Sequence, residues 1–341
     1  MTKPHLFSPF VIPHSSKPLE LKNRIVMPPM DQYSAANDGK VNAWHFQHYV
    51  QRALGGVGLI IIEATAISKD AVISPQDLGL WEYSQVEGIA HIVEECHHLG
   101  AKVAIQLNHA GRKGAEGNPL IAPSAIPFTG NATPREMTGQ DLQNVKNAFV
   151  KAAIRAVSTK VDAIEIHAAH GYLLSSFLSP LSNKRRDDYG LDKARFLQEI
   201  LESIKDAIND EIPIILRISA NDWAIGGNEA IDMAGLLAPL NDLYEAIDVS
   251  SGGVIAEANI PAYPCYQIHL AHTLKLALGK PTIGGGFVCD AKTANHIVKS
   301  GASDCVYLGR ELLKNPFFAL QASQELGVSI DIPKAYQRAL K

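Results

Sequence analysis

The chain has 341 residues, 46% hydrophobic and 19% charged, with 31 Lys and Arg against 35 Asp and Glu for a formal net charge of −4. That balance belongs to a globular protein with a sizeable core and excludes disordered, collagen-like and coiled-coil architectures. It offers no basic block for nucleic acid, no apolar run of the ~18–20 residues a bilayer span requires, and a start (MTKPHLFSPF) too polar and proline-rich for a signal peptide.

Short β-branched runs alternate with helical patterns along the chain. The first run, 24–27 (RIVM), precedes a helical pattern at 43–54. Then come 58–64 (GLIIIEA) and a helix over 85–99, 102–107 (KVAIQL) and 138–159, 163–167 (AIEIH) and 193–209. The second half continues with 214–218 (IILRI) and 231–240, 246–250 (AIDVS) and 266–278, 282–285 (TIGG) and 291–299, 305–308 (CVYL) and 309–313. The runs are almost continuously apolar, as strands buried on both faces are. Gly100 and Gly301 follow two helices, where a left-handed cap is expected.

Eight strands and eight helices in alternation predict a (β/α)8 barrel, the TIM-barrel class, as one domain over 1–341. A doubly wound sheet is the alternative, but it would carry a glycine-rich fingerprint after its first strand, where the sequence reads MPPMDQYS. Two connections are long, 108–137 and 168–192. Loops of that length are usually functional, and in a barrel they lie on the face that carries the active site. The four cysteines (Cys96, Cys265, Cys289, Cys305) form no CxxC pair. This speaks against a zinc or iron–sulfur centre and fits a reducing, cytoplasmic compartment.

The strand ends converge on one mouth in such a fold. They read Met30–Asp31–Tyr33, Ala64, Gln106–His109, His167–His170–Tyr172, Arg217, Ser250–Gly253, Gly284–Gly286 and Gly309–Arg310. This rim is cationic, donor-rich and poor in carboxylates, and suits an anionic ligand. The glycines of TIGGGF and VYLGREL fall after strands seven and eight, where barrels bind phosphate through backbone N–H groups, and Arg310 adds a planar cation. The plainer reading is that the glycines only permit tight turns. His167 and His170 admit three readings: a metal pair lacking a third ligand, two donors to a substrate oxygen with Tyr172 as proton donor beside them, or a structural pair. Arg217 in an apolar strand requires an anionic neighbour, either ligand or salt bridge. No Lys ends a strand; Lys113 in the third loop is the nearest candidate for amine chemistry. His91, His97 and His98 read as solvated residues of a half-polar helix.

The motifs LKNRIVMPPM, GVGLIIIEAT, IQLNHAGRK, IEIHAAHGYLLSSFLSPLSNKRRDDYG, SSGG and LGREL resemble the Old Yellow Enzyme family of FMN-dependent ene-reductases over nearly the whole chain. The resemblance implies FMN at the barrel mouth, NAD(P)H as reductant, and an enone or quinone as small-molecule substrate. It places Pro28, Pro29 and Met30 beside the isoalloxazine ring, Ala64 at its edge, Gln106 on the pyrimidine side and Arg217 facing N1 and the C2 carbonyl. Gly285, Gly286, Phe287, Gly309 and Arg310 would hold the phosphate. His167 and His170 would bind the substrate carbonyl oxygen, Tyr172 would protonate the α-carbon, and Tyr33 would lie over the substrate. No metal is implied. Alternatives are an NAD(P)H oxidase or quinone reductase, or a ligand-binding flavin barrel without turnover.

Three departures stand out. Asp31 adjoins the flavin position where bacterial relatives commonly carry Cys, and is expected to alter redox tuning or to pair with Arg217. The run after Tyr189 is about three residues short of the family pattern, and Asn108 stands where Ala or His is usual. The ending AYQRALK is similar to that of a subgroup whose C-terminal arginine enters a neighbouring subunit's site. Arg338 is the candidate, segment 325–341 the expected contact, and a homodimer or homotetramer the expected assembly.

Overall fold

Eight strands pair in parallel, each with its successor in the chain, and the last returns to the first. They are β1 (Ile25–Met27), β2 (Leu59–Ala66), β3 (Lys102–Asn108), β4 (Ala163–Ala168), β5 (Ile214–Ser219), β6 (Ala246–Ser250), β7 (Thr282–Gly284) and β8 (Cys305–Tyr307). The structure, a computed structural model, describes residues 5–340; the readings of the first four residues and of Lys341 lie outside the described residues. The helices are α1 (Ala43–Leu54), α2 (Val86–His98), α3 (Gly139–Ser158), α4 (Arg195–Ala207), α5 (Ala230–Leu237), α6 (Ile268–Leu278), α7 (Ala291–Ser300) and α8 (Phe318–Glu325). This is the expected (β/α)8 barrel. One helix differs: 309–313 is a short helix, Gly309–Lys314, on the barrel mouth, and the outer helix that follows β8 is α8.

Local signals explain the elements. On α3, Leu142, Val145, Phe149, Ala152, Ala153 and Ala156 recur at helical spacing and are the buried face, while Thr138 and Asp141 close its first turn with a reciprocal capping box. Asp290 caps α7 through the Thr293 amide, and Gly301 ends it at φ 77. All eight residues of β2 are buried, as its unbroken apolar run requires. Its pairing with β3 shifts between Ile62 and Thr65, a bulge that re-aims Glu63 and Ala64 where the strand reaches the mouth.

Side chains alternate along each strand, so every second residue enters the barrel interior. Leu59, Ile61, Ala104, Ala163, Ile215, Ala246, Ile283 and Cys305 form an apolar floor. An antiparallel hairpin, Phe10–Ile12 with Leu19–Leu21, closes this floor with Ile12, Leu19 and Leu21. The hairpin precedes the strand–helix alternation through which the equally short β1, β7 and β8 were recognised, and it was not foreseen. One step higher the interior turns polar, with Gln106, Glu165, Arg217 and Asp248.

The long connections are built rather than loose. The third contains a two-residue ladder, Ile121–Ala122 with Arg135–Glu136, and the fourth holds the helices Leu173–Leu178 and Asp188–Leu191. Arg185 joins the two by donating to the carbonyls of Pro123 (3.2 Å) and Met137 (2.7 Å). The solvated reading of α2 needs one correction. His97 is bonded to buried Asp162 at 2.6 Å, because Asp162 must satisfy donors at the α3–β4 junction.

Leu21 is 2% exposed and fills the barrel floor. Leu21→Ala is expected to lower unfolding free energy by about 2–5 kcal/mol, the range for a buried leucine cavity, read as a lower urea midpoint at unchanged slope.

Candidate active site

The ends of β1, β5, β6, β7 and β8 surround a cavity of about 590 Å³. Of the residues anticipated for a cofactor, Pro28, Met30, Arg217, Gly286, Phe287, Gly309 and Arg310 line it. A volume of that size is ordinary for a cofactor site. Gly286 adopts φ 95, and an added Cβ would meet the Tyr266 ring at 3.0 Å; Gly285 lies flat on Tyr307, whose ring would be 2.3 Å from such a Cβ. These glycines therefore bring backbone to the cavity wall at places no side chain fits. The Arg310 guanidinium lies 4.3 Å above the Phe287 ring centre. Gly309 and Arg310 begin a helix, so their N–H groups lack the carbonyl four residues earlier. Backbone donors, a fixed cation and close glycines form a cradle suited to a phosphate.

Arg217 is 7% exposed, and its Nε finds no hydrogen-bond partner. Its charge is met within the barrel, by Asp248 at 3.4 Å and by the field of Glu165. The rim reading is corrected here: two buried carboxyl groups, Glu165 and Asp248, lie below a mouth expected to be poor in acids, and the charge of Arg217 does not need a ligand to be balanced. Gln106 donates to Glu165 at 2.7 Å.

At the end of β4, His167 lies beside Arg217 in register. The rings of His170 and Tyr172 pack edge-on against His167, with centroids 5.2 and 5.0 Å away. The Ala169 amide donates to His167 Nδ1 at 3.2 Å, which puts the proton on Nε2. His170 Nε2 pairs with Ser250 Oγ at 2.7 Å, and the His170 amide donates to Ser219 Oγ at 2.9 Å. Burial holds both imidazoles well below their usual pKa, reinforced by Arg217 and Lys113, so both are neutral donors. Burial likewise keeps the Tyr172 hydroxyl protonated far into alkali. Lys113 clamps the site from the third loop, donating to the carbonyls of His170 (2.9 Å) and Gly253 (3.2 Å). Backbone strain collects at this mouth: Tyr33 (φ 50), His170 (φ 60), Trp223 (φ 54), Cys265 (φ 69) and Phe287 (φ 52) are left-handed non-glycine residues.

On the other side, Asp31 accepts from the Ala64 amide at 3.3 Å. It is not paired with Arg217, whose effect is the smallest on its acidity. Burial, then Asp77, raises the Asp31 pKa to about 7. Glu63 is buried behind it; Tyr49 donates to it at 2.6 Å and the Gln32 amide at 3.1 Å, yet burial raises its pKa to about 8. Pro29 is buried beside this group, and Tyr33 is 55% exposed at the rim. Arg338 is exposed in the turn Gln337–Leu340 and does not line the cavity. The shortened fourth loop folds as Asp188–Leu191, with Gly190 against the Arg185 carbonyl.

The metal reading of the histidine pair gains no third ligand. Among the described residues the group with metal-ligand spacing is His14, Asp210 and Glu245, at the opposite end of the barrel. There Lys205 already bridges Asp210 (2.9 Å) and Glu245 (3.0 Å). The sequence reading missed Tyr266, Gln267, Tyr307, Glu165 and Asp248. Tyr307 donates to Gln267 at 2.5 Å, and Gln267 donates to Ser251 at 2.8 Å. The available signal was the two-residue period: Glu165 precedes His167, and Asp248 precedes Ser250, by one step on the same strand face.

Comparison with known proteins places this geometry in context. Residues 5–328 match the model of the NADH:flavin oxidoreductase / NADH oxidase family. The chain is 46% identical over 333 residues to an NADPH dehydrogenase of Clostridium acetobutylicum, covering 96% of this chain and 98% of that one. It superposes on an old yellow enzyme homologue of Zymomonas mobilis with a TM-score of 0.80 at 25% identity, over 98% of this chain and 96% of the other. A 2-naphthoyl-CoA reductase gives a TM-score of 0.86 at 23% identity; 94% of this chain spans 52% of that longer one, a likeness of fold alone.

Asp31 and Glu63 hold protons in the folded state that an unfolded chain, with carboxyl pKa values near 4, releases. Raised acid pKa values make stability fall as pH rises from about 4 to 8. Asp31→Asn and Glu63→Gln are each expected to flatten this fall, measured by urea midpoints between pH 5 and 8. An unchanged slope in both variants would contradict the buried-acid account.

Proposed function

The chain belongs to the NADH:flavin oxidoreductase / NADH oxidase family, the Old Yellow Enzyme family of FMN-dependent oxidoreductases, and we propose that it is an NADPH dehydrogenase whose acceptors are α,β-unsaturated carbonyl compounds. The observation that carries this reading is the three-ring cluster of His167, His170 and Tyr172 beside Arg217. FMN, when bound, supplies hydride transfer between a reduced nicotinamide and an electron-poor carbon.

The cradle fits that cofactor. Gly285, Gly286, Phe287, Gly309 and Arg310 would hold its phosphate, and Arg217 and Gln106 the polar edge of its ring system. Pro28, Pro29, Met30 and Ala64 would supply the backbone against the ring. Tyr33 and Asp31 would border the substrate.

The chain's own groups then divide the work. His167 offers Nε2–H to the substrate carbonyl oxygen. A neutral imidazole stabilises the charge that builds on that oxygen without surrendering its proton. His170 is the second donor, released from Ser250 Oγ when the oxygen arrives. Tyr172 carries a proton that solvent does not remove and gives it to the α-carbon. His167 is buried and His170 and Tyr172 are half-buried, which limits the water that would compete for these donors. Exposed Arg338 in the tail would reach a second copy of the chain, in keeping with a homo-oligomer.

Tyr172→Phe is expected to slow reoxidation by cyclohexenone by roughly 10²-fold, the lower range for losing a proton donor, and to leave reduction by NADPH unchanged. Anaerobic stopped-flow of the two half-reactions checks this; equal loss in both would remove Tyr172 from the proton-donor role. His167→Ala is expected to weaken phenol binding about tenfold, the loss of one hydrogen bond to a charged group, in a spectral titration.

A further inference from the structure

Below the cavity, the barrel interior holds one cation and two carboxyl groups within a single layer. Glu165 and Asp248 are each 0% exposed, and Arg217 is 7% exposed. Gln106 and Glu165 are register neighbours on β3 and β4, and Arg217 and Asp248 on β5 and β6. Gln106 Nε2 donates to Glu165 Oε1 at 2.7 Å, while Arg217 Nε stands 3.4 Å from Asp248 Oδ2. The remaining oxygens, Glu165 Oε2 and Asp248 Oδ1 and Oδ2, have no hydrogen-bond donor. Three orphaned acceptors in a dry interior are costly, and two carboxylates cannot satisfy each other. A single proton between them removes the conflict and leaves one negative charge against one guanidinium.

We propose that Glu165 and Asp248 share one proton and act as a positioning pair, orienting the Gln106 amide and fixing how much of the Arg217 charge reaches bound FMN.

Among the described residues, the groups that adjoin the pair do not compete for that role. Beneath the pair lie the apolar side chains Ile61, Ala104 and Ile215. Tyr307 reaches the layer from β8 but spends its hydroxyl proton on Gln267. His167, the register neighbour of Arg217 above, is neutral. Burial raises Glu165 well above the usual carboxylate range, with Asp248 adding to the rise; Asp248 is raised less, because Arg217 opposes its burial. The proton therefore resides chiefly on Glu165. Its carbonyl oxygen accepts from Gln106 and so decides which end of that amide faces a ligand. The proposal rests on FMN occupying the cavity above.

The decisive variant is Glu165→Gln, which is isosteric with a protonated glutamate: its N–H reaches Asp248 and its carbonyl accepts from Gln106. In the holoenzyme E165Q is expected to keep the FMN midpoint potential unshifted and the FMN Kd within twofold. Glu165→Leu, which does neither, is expected to raise the Kd at least tenfold. The double variant E165Q/D248N removes the last negative charge and is expected to shift the potential upward, because unopposed Arg217 favours anionic reduced flavin. Infrared spectra at pH 9, where Asp31 and Glu63 are ionised, should show a protonated carboxyl stretch that E165Q lacks. An upward shift in E165Q alone, or an unchanged stretch, overturns the shared proton. An unchanged FMN Kd in E165L overturns the positioning role. The infrared signal does not depend on turnover, so its failure is separate from failure of the enone reading, which would show as a yellow protein inert toward enones. Should the double variant not fold, E165Q and the stretch decide alone.

Discussion

A guanidinium buried in the wall of a closed parallel barrel governs much of this molecule. Arg217 occupies a fully buried, mostly apolar strand, and an uncompensated charge there would cost several kcal/mol. The barrel answers from the next strand with Asp248, and from the one before with Glu165, which in turn accepts from Gln106 on β3. That requirement sets the layering of the interior. Apolar residues and the N-terminal hairpin seal the bottom, a polar stratum follows, and the open end faces the cavity. The cation is thereby fixed by the fold before any ligand arrives, which is what electrostatic preorganisation means physically.

Desolvation does the remaining chemical tuning. Around the histidine pair, Tyr172 and the Asp31–Glu63 pair it favours the uncharged form. His167 and His170 are neutral, Tyr172 keeps its proton, and Asp31 and Glu63 retain theirs to about 7 and about 8. Neutral groups that still hold protons are donors. A mouth of donors beside a fixed guanidinium is matched to an oxygen that becomes negative during reaction. The glutamate behind Asp31 also has a structural duty, since it accepts the Gln32 amide and so shapes the loop that carries Asp31 and Tyr33.

The barrel was legible because its evidence is periodic. Strands buried on both faces write unbroken apolar runs, and capped helices write Thr138, Asp290 and Gly301 at their ends. Part of the cavity lining, Met30, Arg217, Ser250, Gly286, Gly309 and Arg310, was legible because a barrel sends every strand end to one place. What escaped lay outside the strand–helix alternation, as the plug hairpin does, or inside an apolar run. Glu165 and Asp248 read as isolated acids in AIEIH and AIDVS, and only the pairing of β4 and β6 with β5 makes them neighbours of Arg217. The helix read at 309–313 is present as Gly309–Lys314, but the outer helix α8 beyond it was missed, because Pro316 breaks the pattern between the two.

Precision at the mouth is then a matter of tying mobile elements together. Catalytic groups on loops lose their aim unless other loops hold them. Here the third, fourth and sixth connections are laced by two inward-reaching cations in addition to apolar packing. Lys113 reaches the carbonyls of His170 and Gly253, Arg112 reaches those of Ile126 and Val254, and Gly171 lies so close to Gly253 that a Cβ would stand 2.2 Å from its carbonyl oxygen. Carbonyl oxygens at strand ends have no partner in the sheet, so a long cationic side chain can satisfy several at once. The same lysine, its pKa lowered to about 8 by burial, lies 5.1 Å from the Tyr172 ring centre. The left-handed backbone of His170 is the strained point of this lacing, and it is held by Ser219 below and Lys113 above. A residue kept in that conformation from two sides presents its imidazole in one orientation. The cost of the strain is therefore recovered as aim.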